Sequence, residues 1–276
     1  MLLVLPVFLL GGCAQLASLP GPGLAFGVLG DTPSSPAQAA KLDALIARIN
    51  AQDLAFVVHV GDIGTSGRDQ GCSDAWVAAR QRQFGAIRHP FVLLPGDNEW
   101  TDCARHGMDP LARLENWRRL FCGLGGGLAL TRQPGQCENA RWAAHGMHFI
   151  ALNVPGGANP ELGDARMAAT LRWLDESLAQ AEKELSARVF VFLHADPRFW
   201  RWSRVDAYAR LRGVLGVHAT RLGSRMVLVH GDTHVYRDDA PLPGLRRVVP
   251  WGSPFVSWLR VSVSAGAGEP AVEAGW

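Results

Sequence analysis

Five segments of this chain end alike: a run of β-branched and apolar residues, then a turn carrying Asp, Asn or His. They cover residues 24–31, 56–62, 91–99, 189–194 and 226–234. Short continuous apolar runs read as strands buried on both faces. In open α/β sheets the carboxyl ends of such strands point into one crevice. The turns therefore bring Asp31, Asp62, Asp97, Asn98, His194, Asp232 and His234 to a common rim. Several carboxylates sharing a crevice repel one another unless a cation joins them. The pattern predicts a metal site. Each Asp alone, following Gly, is ordinary turn chemistry. The ordered set is what points to a site.

Between these strands lie helical patterns. Residues 36–50 place Leu42, Leu45, Ile46 and Ile49 on one face. Further helices are expected over 76–84, over 110–121 with Leu111, Leu114, Trp117, Leu120 and Phe121 inward, over 165–186 with Leu171, Leu174, Leu178, Ala181 and Leu185 inward, and over 205–217. Residues 123–136 read as a loop, 141–153 as a β-hairpin, and 245–263 alternate like antiparallel strands. The expectation is an α/β fold of two mixed sheets packed face to face with helices outside. Residues 23–265 would form the domain, with 1–22 a leader and tether and 266–276 a tail.

The first residues are apolar but too few to span a bilayer. They fit a signal-peptide core, although the usual basic start is missing. Leu10-Gly11-Gly12-Cys13 is similar to a bacterial lipobox, which makes Cys13 a candidate lipidation site, with an ordinary leader as the plainer alternative. The remaining cysteines, Cys72, Cys103, Cys122 and Cys137, form an even set, as in exported proteins with two disulfides and three possible pairings. Cys72 and Cys103 follow neighbouring turns, so Cys72–Cys103 with Cys122–Cys137 is the favoured pairing. An extracytoplasmic protein follows, periplasmic or held at the membrane by a lipid alone. A net charge of +2, with scattered basic residues, gives no footprint for nucleic acid.

In order, the blocks resemble those of the calcineurin-like metallophosphoesterase superfamily. The matching stretches are Gly30-Asp31-Thr32-Pro33, Gly61-Asp62-Ile63-Gly64-Thr65, Gly96-Asp97-Asn98-Glu99, His194 and Gly231-Asp232-Thr233-His234. The resemblance implies a four-layer sandwich and hydrolysis of small phosphate esters by metal-activated water. It implies one metal on Asp31, Asp62 and His234, and a second on Asp62, Asp97, His194 and Asp232. The departures are as telling. Pro33 stands where the family has a His ligand, Asp97 replaces Asn, Asp232 replaces His, and Asn98 stands where a His assists the leaving group. Two ligand carboxylates become four, which suits harder ions: Mn or Mg over Fe or Zn, as one ion or two. Asn98 can donate a hydrogen bond to a phosphoryl oxygen but no proton to a departing alkoxide. Glu99 and His230 are the candidate acids. Arg68, Arg105, Arg198 and Arg237 are near enough in sequence to hold phosphate, with Arg105 and Arg237 preferred. Trp100 either stacks on substrate or packs its loop. Two other readings stay open: a metal-binding protein of this fold that has lost turnover, and a calcium-stabilised envelope structural protein.

Overall fold

The computed structural model describes residues 23–157, 164–200, 206–264 and 268–275. The leader, its tether and Cys13 lie outside the described residues. Four layers stack. The first sheet has five strands in the order β12-β11-β1-β2-β3, and the second has seven in the order β4-β5-β6-β7-β8-β10-β9. The strands are β1 (Leu24–Leu29), β2 (Val57–His59), β3 (Phe91–Leu93), β4 (Thr131–Gln133), β5 (Gln136–Ala144), β6 (Met147–Ala151), β7 (Arg188–Leu193), β8 (Met226–His230), β9 (Arg237–Leu242), β10 (Leu245–Val249), β11 (Trp258–Val263) and β12 (Ala271–Gly275). β1, β2 and β3 run parallel, as do β6, β7, β8 and β10. All five strands with polar turns lie in these two parallel blocks, so their carboxyl ends share one rim.

The helices are α1 (Pro36–Asn50), α2 (Asp74–Phe84), α3 (Pro110–Phe121), α4 (Asp164–Lys183) and α5 (Ala209–Leu222). Local signals set their starts. Ser35 accepts from the Gln38 amide at 3.2 Å with Pro36 in the first turn, and Asp109 accepts from the Leu111 amide at 2.9 Å before Pro110. α1–α3 cover the first sheet through Leu42, Ile49, Phe84, Trp117 and Phe121. α4 and α5 cover the second through Leu171, Leu174, Leu178, Leu211 and Leu215. Between the sheets lies an aromatic core of Phe26, Phe56, Trp142, Phe149, Phe190 and Phe192.

Several expectations are corrected. Leu111 is exposed because it sits in the first turn of α3, before the helix meets the sheet. Leu185 is exposed because α4 ends at Lys183 and the chain reverses through a φ of 52° at Leu185. α5 runs to Leu222, beyond the expected end, and residue 205 lies outside the described residues. The expected loop 123–136 holds the edge strand β4. The 245–263 segment is not one antiparallel unit: β10 pairs parallel with β8, then the chain crosses to the other sheet, where β11 lies antiparallel to β1. Residues 271–275, placed in a tail by the sequence, pair with β11 as β12. The Cys72–Cys103 and Cys122–Cys137 disulfides are both formed. No helix of the described residues is long and apolar enough to cross a membrane.

Phe26 sits at the centre of the aromatic core, its ring centroid 4.9 Å from Phe56 and 5.0 Å from Phe190. Phe26→Ala is expected to lower unfolding free energy by about 3–5 kcal/mol, since no neighbour can refill so tight a site. Urea titration checks this, and a loss under about 1 kcal/mol would contradict it.

Candidate metal centre

Asp31, Asp62, Asp97, His194 and Asp232 each stand just beyond a strand of the parallel blocks. Backbone bonds lock the turns together: Asp31 N donates to Gly61 O at 2.9 Å and Gly231 N to His194 O at 3.0 Å. Four of the side chains hang from left-handed backbone: Asp31 (φ 53°), Asp62 (φ 60°), Asp232 (φ 70°) and His234 (φ 60°). Non-glycine residues adopt this region at a cost, and such residues gather at functional sites. Gly96 makes the close approach possible, because a Cβ there would lie 1.9 Å from Asp62 Oδ1.

The side chains converge. Ligating atoms of Asp31, Asp62 and His194 lie within 4.8 Å of one another, as do those of Asp97, His194 and Asp232. His194 Nε2 is 2.8 Å from Asp97 Oδ1 and 3.5 Å from Asp62 Oδ1. His234 Nε2 is 3.4 Å from Asp31 Oδ1. His194 therefore touches both groups of carboxylates, whereas the resemblance gave it to one. Both imidazoles are oriented alike from behind: Nδ1 of His194 lies 3.0 Å from Val60 O, and Nδ1 of His234 lies 2.9 Å from Ser253 O. Donation there fixes the tautomer that leaves Nε2 free to ligate. Asp31 Oδ2 is buried and has no hydrogen-bond partner. An orphaned buried carboxylate oxygen beside two inward Nε2 atoms fits a divalent cation.

The electrostatics agree. Burial pushes Asp31 up and Asp62 well up from the usual carboxylate range. Asp97 is held down: burial opposes its charge, but the hydrogen bond and charge of His194 prevail. His194 is held well above its ordinary value: burial opposes, and Asp62, Asp97 and Asp31 prevail. One imidazolium thus partly balances several carboxylates.

The remaining expected residues divide. Asn98 clamps Asp62: its amide N reaches Oδ1 at 3.1 Å, and its Nδ2 reaches Oδ2 at 2.7 Å and Gly64 O at 3.0 Å. Both side-chain hydrogens are committed, so Asn98 orients Asp62 and has no hydrogen for a phosphoryl oxygen. Glu99 accepts from the amides of Asp62, Ile63 and Gly96 at 3.2, 2.7 and 2.8 Å, which ties the second and third turns together. His230 is fully buried, its Nδ1 lies 2.9 Å from Gly231 O, and burial drives its pKa to about 3. It is a neutral imidazole closed off from solvent, and not a candidate acid. Trp100 is buried under the Arg166 guanidinium at 5.2 Å and packs its loop, so it offers no face to a substrate. Arg105 is 66% exposed at the rim, 2.5 Å from Asp102. Arg237 lies over the Trp200 ring at 5.0 Å. Arg68 binds the His106 carbonyl and Arg198 covers Tyr208.

Sequence reasoning missed four contributors. Gly156 roofs the site, since a Cβ there would lie 2.7 Å from Asp97 Oδ1 and 2.8 Å from Asp232 Oδ1. Asp102 stands beside Asp97, its pKa raised to about 6 by burial and by Asp97's charge. Asp196 donates its amide to Asp232 Oδ2 at 3.1 Å. His59 spans Thr32 O at 2.8 Å and Gly61 N at 3.2 Å, holding the first two turns in step. Only the Gly156-Gly157 pair and the position of Asp196 two residues after His194 offered a sequence signal.

No protein-family profile and no curated protein sequence matches the chain. Solved structures do. A dimetal phosphatase from Danio rerio superposes with a TM-score of 0.57 at 12% identity, over 91% of this chain and 98% of that one. The Plasmodium protein GAP50, described as the anchor in the inner membrane complex, gives 0.57 at 13% identity, over 92% and 84%. A 5'-nucleotidase from Candida albicans gives 0.51 at 13%, over 91% of this chain and 51% of that one.

The chain has the calcineurin-like metallophosphoesterase fold.

Within that fold this protein is divergent, and its buried Asp and His groups are of a kind that could bind divalent metal. Gly96→Ala is expected to weaken Mn²⁺ binding at least about tenfold, because the methyl group displaces Asp62, and losses of 10–100-fold are usual for supporting positions. Equilibrium dialysis checks it, and unchanged affinity would contradict it. A pH effect also follows. Burial raises Glu99 to about 7 from an ordinary 4.5. Between those values the folded state holds a proton on Glu99 that the unfolded chain has lost, so the contribution of Glu99 to the stability of the chelator-treated protein falls as pH rises through that window. Buried His59 and His230, lowered to about 4 and about 3, act in the opposite sense. The test therefore compares urea midpoints of the chelator-treated protein with those of Glu99→Gln at about pH 5 and about pH 8. The stability of the native protein relative to Glu99→Gln should fall with pH, and a relative stability that rises would contradict it.

Proposed function

We propose that the protein is an exported, metal-dependent phosphoesterase acting on small phosphate esters with good leaving groups. The observation that carries this reading is the pair of imidazoles, His194 and His234, each backed by a carbonyl at Nδ1 and turned at Nε2 toward buried carboxylates. Asp31, Asp62 and His234 would hold one cation; Asp62, Asp97, His194 and Asp232 would hold another. Such cations supply Lewis-acid polarisation of phosphoryl oxygens and make a water nucleophilic near neutral pH.

The chain's own residues do the rest. Val60 O and Ser253 O hold the rings, and Asn98 holds both oxygens of Asp62, which the two candidate cation positions would share. The Gly156 turn packs its backbone closely against the carboxylates of Asp97 and Asp232. Arg105 at the mouth has a planar fork suited to a phosphate edge. Asn98 is an amide and cannot give a proton to a departing oxygen, and general-acid help is commonly worth about 10²–10⁴-fold. Export is supported by the two disulfides and by the apolar start with its Cys13 motif.

A second reading has its own support. Asn98 is committed to Asp62, Pro33 cannot ligate, and one protein of similar fold is described as an anchor. On that reading the chain binds metal without turnover. Rates on aryl and alkyl phosphates with Mn²⁺, Mg²⁺, Zn²⁺ and Fe²⁺ separate the two. The proposal expects aryl rates higher by at least about 10²-fold, with activity abolished by chelation. Metal binding without hydrolysis under any ion would favour the second reading, and equal aryl and alkyl rates would contradict the leaving-group claim.

A further inference from the structure

The outer, helix-facing side of the second sheet carries a polar cluster that the metal centre does not use. Strand register places it there. Arg247 of β10 pairs with Leu228 of β8, and Leu228 packs in the core under α4 and α5, so Arg247 faces that side. His230 follows Leu228 by two residues and points the same way. Asp239 of β9 pairs with Arg247, so Asp239 and Arg237 share the face. Phe199 and Trp200, in the loop after β7, lie against the group. The Arg247 guanidinium is 5.6 Å from each ring, and that of Arg237 is 5.0 Å from Trp200.

Two guanidiniums on one indole need acceptors, and the cluster is short of them. Asp239 takes Nε and Nη2 of Arg247 at 2.8 and 2.6 Å. Arg247 is only 3% exposed, yet its Nη1 has no hydrogen-bond partner. Asp196 Oδ1 stands 3.9 Å from that nitrogen, beyond hydrogen-bond reach. Among the described residues Arg237 forms no ion pair, and its Nε is buried without a partner. A buried N–H left unpaired has given up its water for nothing. The third orphan is of the opposite kind. His230 Nδ1 lies 2.9 Å from Gly231 O, which only accepts, so Nδ1 carries the hydrogen. In the neutral ring Nε2 is then a lone pair, and it too is buried without a partner. Arg247 and Arg237 are among the charges that act on this ring, so the three groups are neighbours.

We propose that Arg237, Arg247 and His230 form a binding pocket for an oxyanion that keeps a hydroxyl, namely hydrogen phosphate. The two guanidiniums donate to its oxygens, and its hydroxyl donates to Nε2 of His230. Trp200 is 51% exposed and Arg237 is half-buried, which gives the ligand a way in from solvent. Asp196 joins the pocket to the candidate metal centre: its amide donates to Asp232 Oδ2 at 3.1 Å while its carboxylate stands beside Arg247. Hydrogen phosphate is also what the proposed hydrolysis would release. The pocket needs neither metal nor turnover, however, so its test is independent of the phosphoesterase reading.

Calorimetry on the full chain in chelator tests the pocket, since phosphate then has no cation to bind. Near neutral pH phosphate keeps a proton and sulfate keeps none. Phosphate is expected to bind saturably and at least about tenfold more tightly than sulfate, which would set an oxygen against the Nε2 lone pair. Arg237→Gln should weaken phosphate at least about tenfold while Mn²⁺ still binds, and Arg237→Lys should lose less, because the charge remains. The comparison of the two anions needs no variant, so it decides the matter even should Arg237→Gln unfold. No binding at millimolar phosphate, equal affinity for phosphate and sulfate, or unchanged affinity in a folded Arg237→Gln overturns the pocket. A loss in Arg105→Gln in place of Arg237→Gln puts the anion at the mouth of the metal centre and overturns it as well.

Discussion

Like charges held close in a dry place dominate this molecule. Two carboxylates about 4 Å apart repel by about 4 kcal/mol even at an effective dielectric of 20. Asp31 and Asp62 approach to that order, with Asp97 and Asp232 beside them. The fold meets this repulsion with rigid backbone. Parallel strands deliver the turns, left-handed residues aim the side chains, and Glu99 and His59 tie turn to turn. His194 supplies the positive charge that keeps Asp97 ionised, and Asn98 pins Asp62 through both oxygens. Asp31 Oδ2 is left with nothing. A site built so stiffly around unbalanced charge is pre-organised for a cation, since little has to move or order when one arrives.

The substitutions that set this chain apart share a direction. Asp97 and Asp232 add negative charge where the family pattern has neutral ligands, and Pro33 removes a nitrogen donor. Asn98 replaces a titratable ring with an amide that serves the ligand Asp62. Affinity for hard cations rises under such changes, while acid assistance to the leaving group falls.

Much of the architecture was legible because strong local signals coincide with it. α1 and α3 begin at capping residues followed by Pro and bury regular stripes, so their ends match the expected ones. The convergence of Asp31, Asp62, Asp97, His194 and Asp232 was legible because each stands at or just past the end of a buried strand. What escaped was set by tertiary contact. β9 and β12 are mostly exposed edge strands without an apolar pattern. Leu111 and Leu185 fit a helical stripe but lie at or beyond helix ends, where no neighbour covers them. His230 continues the β8 alternation into the interior, and spacing alone cannot tell an inward histidine from a rim one. The acceptors that orient His194 and His234 are the carbonyls of Val60 and Ser253. Every residue has a carbonyl, so sequence carries no trace of which ones are used.

The central claim is that these side chains bind divalent cations at the expense of protons. Calorimetric titration of the chelator-stripped protein with Mn²⁺, repeated in buffers of different ionisation enthalpy, measures both at once. The account predicts saturable binding of one or two ions, with net proton release, because the proton held on His194 by the surrounding carboxylates must leave as the metal enters. Absence of binding at millimolar Mn²⁺, or binding with no proton release near neutral pH, would contradict it.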